Sequence, residues 1–202
     1  IILGTRQYAY TQKSYQFKYS HSYTMILKIQ KVFYTRSFFV SLWVLHLPFI
    51  MFHIVLLEPR MPGNVGTIGR LAVATGCVLH LIKPYGFKAI NEEKVKRAGM
   101  DYWADLNFVE YDTIEEFWAK HPFNDRHFLA TKKAPKAYTE FRFKPNDFLY
   151  FGREDVGLPE PLANQHPDLC LSIPMVSGAR SLNIANAASV LVYEAWRQCK
   201  KH

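Results

Sequence analysis

From residue 52 onward, short apolar runs alternate with amphipathic or small-residue stretches, and each run ends on a turn signal. The run at 52–57, Phe-His-Ile-Val-Leu-Leu, reads as a buried first strand that ends at Glu58-Pro59. A helix is predicted over 65–75, stopped by Gly76, and a strand over 78–82. A short helix over 92–98 stops at Gly99, a weak strand follows at 108–111, and a helix at 114–120. Further strands are predicted over 128–131, 148–151 and 169–173. The last of these runs through Pro174 and a small-residue turn into a helix, with Ser181 as its expected N-cap and an end near residue 198. This alternation predicts an α/β fold with a largely parallel sheet covered on both faces.

The final helix is unusual in its pattern. Leu182, Ile184, Ala185, Ala188, Leu191, Val192, Ala195 and Trp196 cover more than one stripe. Burial on two sides is therefore expected, one against the core and one against a second surface such as a subunit partner. Ala185, Ala187, Ala188 and Ser189 are small enough to admit another backbone closely.

The first fifty residues follow no sustained period. They are rich in Tyr, Phe, Ser and Lys, and hold six Lys/Arg and no Asp or Glu. Met51 is expected to be the natural start of the domain, with 1–50 a poorly ordered or non-native extension and 51–202 the domain. The stretch 38–57 is long enough to span a bilayer. Ser41, His46, Pro48 and His53 interrupt it, and its end is needed as the first strand, so no membrane association is expected. A transit peptide fits poorly and a secretory signal worse, because the apolar run starts late.

Composition narrows the class further. The chain carries a formal charge of +8, but residues 51–202 hold 19 of the 25 Lys+Arg against all 17 Asp+Glu. Global charge therefore says little about nucleic-acid binding by the domain itself. Three scattered cysteines, Cys77, Cys170 and Cys199, show no metal-ligand spacing; no metal and a reducing, cytoplasmic compartment are expected.

Three glycine-bearing turns follow strands, where open α/β sheets bind ligands. The first runs from Glu58 through Gly63, Asn64, Gly66 and Gly69 to Arg70. Its G-x-x-G-x-x-G spacing is not the dinucleotide fingerprint, and Lys83-Pro84 stands where a ribose-binding acid belongs, which demotes a nicotinamide oxidoreductase. Asn64 reads equally as a helix cap or as a functional residue. The second turn is Gly152-Arg153-Glu154-Asp155-Val156-Gly157, an ordinary turn by default. The third is the stretch from Ile173 to Asn183.

Taken in this order, the motifs resemble the SPOUT class of RNA methyltransferases, closest to the small single-domain tRNA 2′-O-methyltransferases of the wobble nucleotide. The residues that carry the resemblance are Leu57-Glu58-Pro59 through Asn64 and Gly66 to Arg70; His80-Leu81-Ile82 with Pro84, Gly86 and Phe87; Arg97 to Trp103; Phe151 to Glu154; and Ile173-Pro174-Met175 with Arg180 to Asn183. It spans 51–202 and none of 1–50. It implies a parallel sheet with a deep C-terminal trefoil knot. It also implies S-adenosylmethionine held at Ala130, Gly152, Gly157, Ile173, Met175, Ser181 and Leu182, and a homodimer with its active sites at the subunit interface.

The same resemblance makes Arg70 the catalytic arginine. A guanidinium stays protonated, so its chemistry is to stabilise a forming alkoxide or grip the adjacent phosphate rather than to act as a base. Glu154 is expected to orient Arg70 across the crevice. Asn64, Arg70, Lys133 and Tyr193 are the RNA-contact candidates, and the anticodon stem-loop of tRNA is the expected partner. Where the class commonly has Thr-Thr-Lys-Gly, this chain has Thr131-Lys132-Lys133-Ala134, which alters the local loop. The rival readings are a 2′-O-methyltransferase of another RNA such as rRNA, and an RNA-binding protein that kept the fold but lost catalysis.

Overall fold

The computed structural model describes residues 52–87 and 101–200. The predicted helix at 92–98 and the segment 1–50 lie outside these. Six strands form one parallel sheet in the order β3-β2-β1-β5-β4-β6. They are β1 (His53–Leu57), β2 (Val78–Ile82), β3 (Phe108–Tyr111), β4 (His127–Ala130), β5 (Phe148–Phe151) and β6 (Cys170–Leu171). The chain moves outward from β1 to β3, then restarts beyond β5 at β4, so the topological switch lies between β1 and β5.

Strand parity divides the core. Ile54, Leu56, Leu79, Leu81, Leu149 and Phe151 face one side, where α1 (Pro62–Thr75) and α4 (Ile184–Cys199) cover them. Val55, Leu57, Ile82 and Tyr150 face the other, under α2 (Ile114–Lys120) and α3 (Glu160–Gln165). Near-continuous apolar strands are the expected consequence of burial on both faces.

Helix α1 starts three residues before the predicted 65. Pro62 suits a first helical turn because its φ is already helical and it has no N–H to waste, whereas Pro62 followed by Gly63 reads as a turn in sequence. Its end is as expected: Gly76 takes φ 70 and its N–H returns to the Ala72 carbonyl. Helix α2 is capped by Thr113, whose hydroxyl accepts the Glu116 N–H.

Helix α4 buries one stripe, Ala185, Ala188, Leu191, Val192 and Ala195. Within this chain its second side stays uncovered: Val190 is 36% and Tyr193 51% exposed. The N-cap is Asn183, not Ser181. Asn183 Oδ1 accepts the N–H groups of Ala185 and Asn186, while Ser181 lies exposed two residues earlier. Strand β6 is shorter than the predicted 169–173; after Ser172 bridges to Ala137, the chain from 173 to 183 has no regular structure. Among the described residues no helix is long and apolar enough to cross a membrane.

Candidate functional site

The carboxyl ends of β1 and β5 meet at the switch point. Glu58, directly after β1, takes φ 49, a left-handed conformation that costs energy in any residue with a side chain. Its N–H is held by the Ile82 carbonyl at 2.9 Å, and its carboxylate lies 3.6 Å from Arg153. Arg153 in turn forks onto Asp155 at 3.0 and 2.6 Å. A hollow of about 200 Å³ opens here between Leu57, Glu58, Arg153, Val156, Gly157 and Pro159.

The turn 152–157 closes on itself. Arg153 N–H donates to the Gly157 carbonyl at 3.1 Å, and Gly157 N–H returns to the Arg153 carbonyl at 2.9 Å. A Cβ on Gly152 would lie 2.1 Å from the Gly157 carbonyl carbon and 2.2 Å from the Leu158 nitrogen. Only glycine permits this closure. Gly157 itself has φ 81.

Glu154 projects from this turn to the start of α1. Its carboxylate accepts the N–H groups of Arg60 (2.8 Å) and Met61 (3.2 Å) and the Asn64 amide (2.9 Å). It braces the turn that leads into the helix and places a negative charge at the helix N-terminus, where the N-cap residue Met61 makes no side-chain cap. Partial burial alone would raise its pKa; the Asn64 and backbone hydrogen bonds outweigh that and hold it below the usual carboxylate value. Asn64 is thus not the cap but a first-turn residue whose side chain binds the Glu154 carboxylate. The other end of its amide, Oδ1, accepts from Asn183 Nδ2 at 3.0 Å. Glu154, Asn64 and Asn183 therefore join the three motifs in one hydrogen-bonded chain.

Glu154 is not placed on Arg70. Its three bonds all go to residues 60–64, and Arg70 lies further along α1, exposed. The partner of Arg70 is aromatic: its guanidinium carbon lies 4.9 Å from the centroid of the Tyr102 ring. The Tyr102 hydroxyl donates to the Gly66 carbonyl at 2.7 Å. Gly63, Gly66, Thr67, Arg70 and Tyr102 line a second hollow of about 270 Å³. Sequence reasoning assigned Tyr102 no role, although it stands within a motif that carried the resemblance.

The remaining candidates are scattered around these loops. Ala130 ends β4, and Thr131 N–H is taken by the Leu171 carbonyl. Lys133 pairs with Glu160 at 2.6 Å, both largely exposed, a contact of little energetic weight. Tyr193 stands on the uncovered side of α4, edge-on to Trp196.

The stretch 173–183 presents both apolar side chains and backbone polar groups at the surface. Met175 and Leu182 are 36% and 43% exposed, and among the described residues its only internal backbone hydrogen bond is Ala179 N–H to the Val176 carbonyl. The Gly152 and Gly157 turn, packed without side chains, borders the same sheet end. Among the described residues there is no cluster of metal-ligand type.

Residues 51–193 match the SpoU rRNA Methylase family. The chain belongs to this family. A relative of this SpoU methylase, the tRNA (cytidine(34)-2′-O)-methyltransferase of Saccharophagus degradans, is 43% identical over 149 residues, covering 73% of this chain and 96% of the relative. A solved structure concerned with 2-OH methylation of C/U34 on tRNA is 41% identical, with a TM-score of 0.68 over 74% of this chain and 97% of the other. The SpoU methyltransferase AviRb from Streptomyces viridochromogenes, solved with AdoMet, is 28% identical, with a TM-score of 0.62 over 74% of this chain and 58% of that one.

Proposed function

We propose that this SpoU methylase transfers a methyl group from S-adenosylmethionine to the ribose 2′-hydroxyl of nucleotide 34 in the tRNA anticodon loop. The observation that carries the reading is the 43% identity to a relative of that name over 96% of its length, with all three site motifs inside the matched span. An anticodon loop is single-stranded, so its ribose is reachable without opening a helix.

When bound, S-adenosylmethionine supplies an electrophilic methyl group. The residues proposed to hold it are Ala130, Gly152, Gly157, Ile173, Met175, Ser181 and Leu182. The Glu154–Asn64–Asn183 chain fixes the first turn of α1 to both cofactor-side loops. Arg70 binds the forming alkoxide or the neighbouring phosphate through its guanidinium N–H donors. Positioning the hydroxyl against the methyl group supplies much of the acceleration. Lys133, Tyr193 and Asn64 complete the proposed RNA contacts.

The deep C-terminal trefoil knot and the homodimer belong to the same proposal. The uncovered side of α4, with Val190, Tyr193 and the exposed Val176 and Leu182 nearby in sequence, supports a second copy as its cover. Three free thiols suit a reducing compartment, the cytoplasm.

Incubating the purified protein with labelled S-adenosylmethionine and either bulk tRNA or rRNA tests the substrate class. Label in tRNA is expected. Label confined to rRNA would replace this reading with the rRNA one, and none in either would favour a non-catalytic RNA-binding protein.

A further inference from the structure

Arg70 has a long side chain on an exposed helix face, where many rotamers compete. Among the described residues no carboxylate pairs with it. Tyr102 supplies the order instead: its ring reaches Arg70, and its hydroxyl and its closeness to Gly69 seat it on α1. The ring lies under the guanidinium at 4.9 Å. The hydroxyl grips the Gly66 carbonyl, one turn before Arg70. A Cβ on Gly69 would come within 3.7 Å of the Tyr102 ring, 3.5 Å of Trp103 and 3.1 Å of Leu106, so the 3₁₀ segment Asp101–Asp105 is seated directly on the glycine beside Arg70.

This arrangement differs in kind from an ion pair. A carboxylate would consume two of the guanidinium N–H donors and neutralise the charge. A ring beneath the plane uses the π-face and leaves the in-plane donors for another partner. The hollow between Gly63, Gly66, Thr67, Arg70 and Tyr102 has two side-chain-free positions, which allow a sugar–phosphate close to α1.

We propose that Tyr102 is the positioning residue of Arg70, holding its guanidinium flat with the donor edge turned to the RNA. The inference rests on the catalytic assignment of Arg70 made above. On this inference Tyr102 serves the reaction through Arg70, which it orients.

The test compares Tyr102→Phe and Tyr102→Leu in the wild-type and Arg70→Ala backgrounds, reading single-turnover methylation of tRNA, tRNA affinity and S-adenosylmethionine affinity. Tyr102→Leu is expected to slow methylation about tenfold, and Tyr102→Phe, which keeps the ring, to stay within about threefold of wild type. Cofactor affinity is expected to be unaltered in both. On the Arg70→Ala background, Tyr102→Leu should change the residual rate, or tRNA affinity where that rate is too low to measure, by less than about twofold. Equal losses in the Leu and Phe variants, or the full tenfold loss on the Arg70→Ala background, would overturn the inference and leave Tyr102 a packing residue. A fully active Arg70→Ala enzyme would instead overturn the Arg70 assignment itself, and the inference with it.

Discussion

Asn183 Nδ2 donates to Asn64 Oδ1 at 3.0 Å, joining residues 119 positions apart. This bond ties the N-cap of the last helix to the first turn of the first. Through Asn64 it reaches Glu154, so one polar chain spans the loops after β1, β5 and β6. The amides and the carboxylate each use both ends, and removing any member orphans its neighbours.

Asn183→Ala removes the cap of α4 and the Asn64 contact together. A lost cap costs about 1 kcal/mol, and the orphaned Asn64 oxygen adds to it. Thermal unfolding is expected to shift down by several degrees, and Asn183→Asp to recover the cap while forfeiting the donor to Asn64. If Asn183→Ala melts like wild type, the chain has no structural weight.

Gly152→Ala is expected to fail for a reason that sequence alone did not reveal. Reading the motif, an added side chain would invade the space of the adenosine. In the structure its first collision is with the protein, at 2.1 Å from the Gly157 carbonyl carbon. The turn must open, at an expected cost of about 1–3 kcal/mol. Calorimetry should show weakened S-adenosylmethionine binding together with a lowered melting temperature. A variant with normal stability and lost binding would restore the simpler account.

Acid sensitivity should come from the other end of the sheet. Phe148 stacks between His53 and His127, at 4.2 and 4.3 Å. His53 bonds His80 at 2.8 Å, and His127 bonds the Tyr150 hydroxyl at 2.6 Å. Burial pushes His53 and His127 down to about 4 and His80 to about 2, with neighbouring histidines adding to the shift. The folded protein holds these rings neutral, while the unfolded chain protonates them near pH 6.5. Stability is therefore full above that pH and falls as the pH drops from about 6.5 towards 4, by about 1.4 kcal/mol per ring per pH unit. His127→Phe should flatten the fall of melting temperature over that range by about one proton's worth, and also remove the unpartnered Nε2. An unchanged pH slope would show that His127 does not carry it.

Much of this architecture was legible in the pattern. Five of the six strands lie within a residue of their predicted ends, four of them because doubly buried strands write themselves as apolar runs. The start of α1 was hidden by Pro62-Gly63, which reads as a turn in sequence although Pro is well suited to a first helical position. Ser181 and Asn183 are both cap-type residues, and what separates them is tertiary: Asn183 accepts the Ala185 and Asn186 N–H groups and bonds Asn64. The motif residues were found, but their partners were not. Glu154 binds backbone N–H groups, which carry no sequence signal, and the pairing of Arg70 with Tyr102 spans 32 positions with no periodicity to announce it.

The proposed reaction is methyl transfer to one ribose by a site that contains Arg70. Ribose-methylation mapping of tRNA after incubation with S-adenosylmethionine, run in parallel with wild type and Arg70→Ala, tests it most directly. The expected result is a 2′-O-methyl group at nucleotide 34 with wild type and at no position with Arg70→Ala, while both bind S-adenosylmethionine equally. A methyl group elsewhere in the tRNA, or an undiminished signal from Arg70→Ala, would contradict the account.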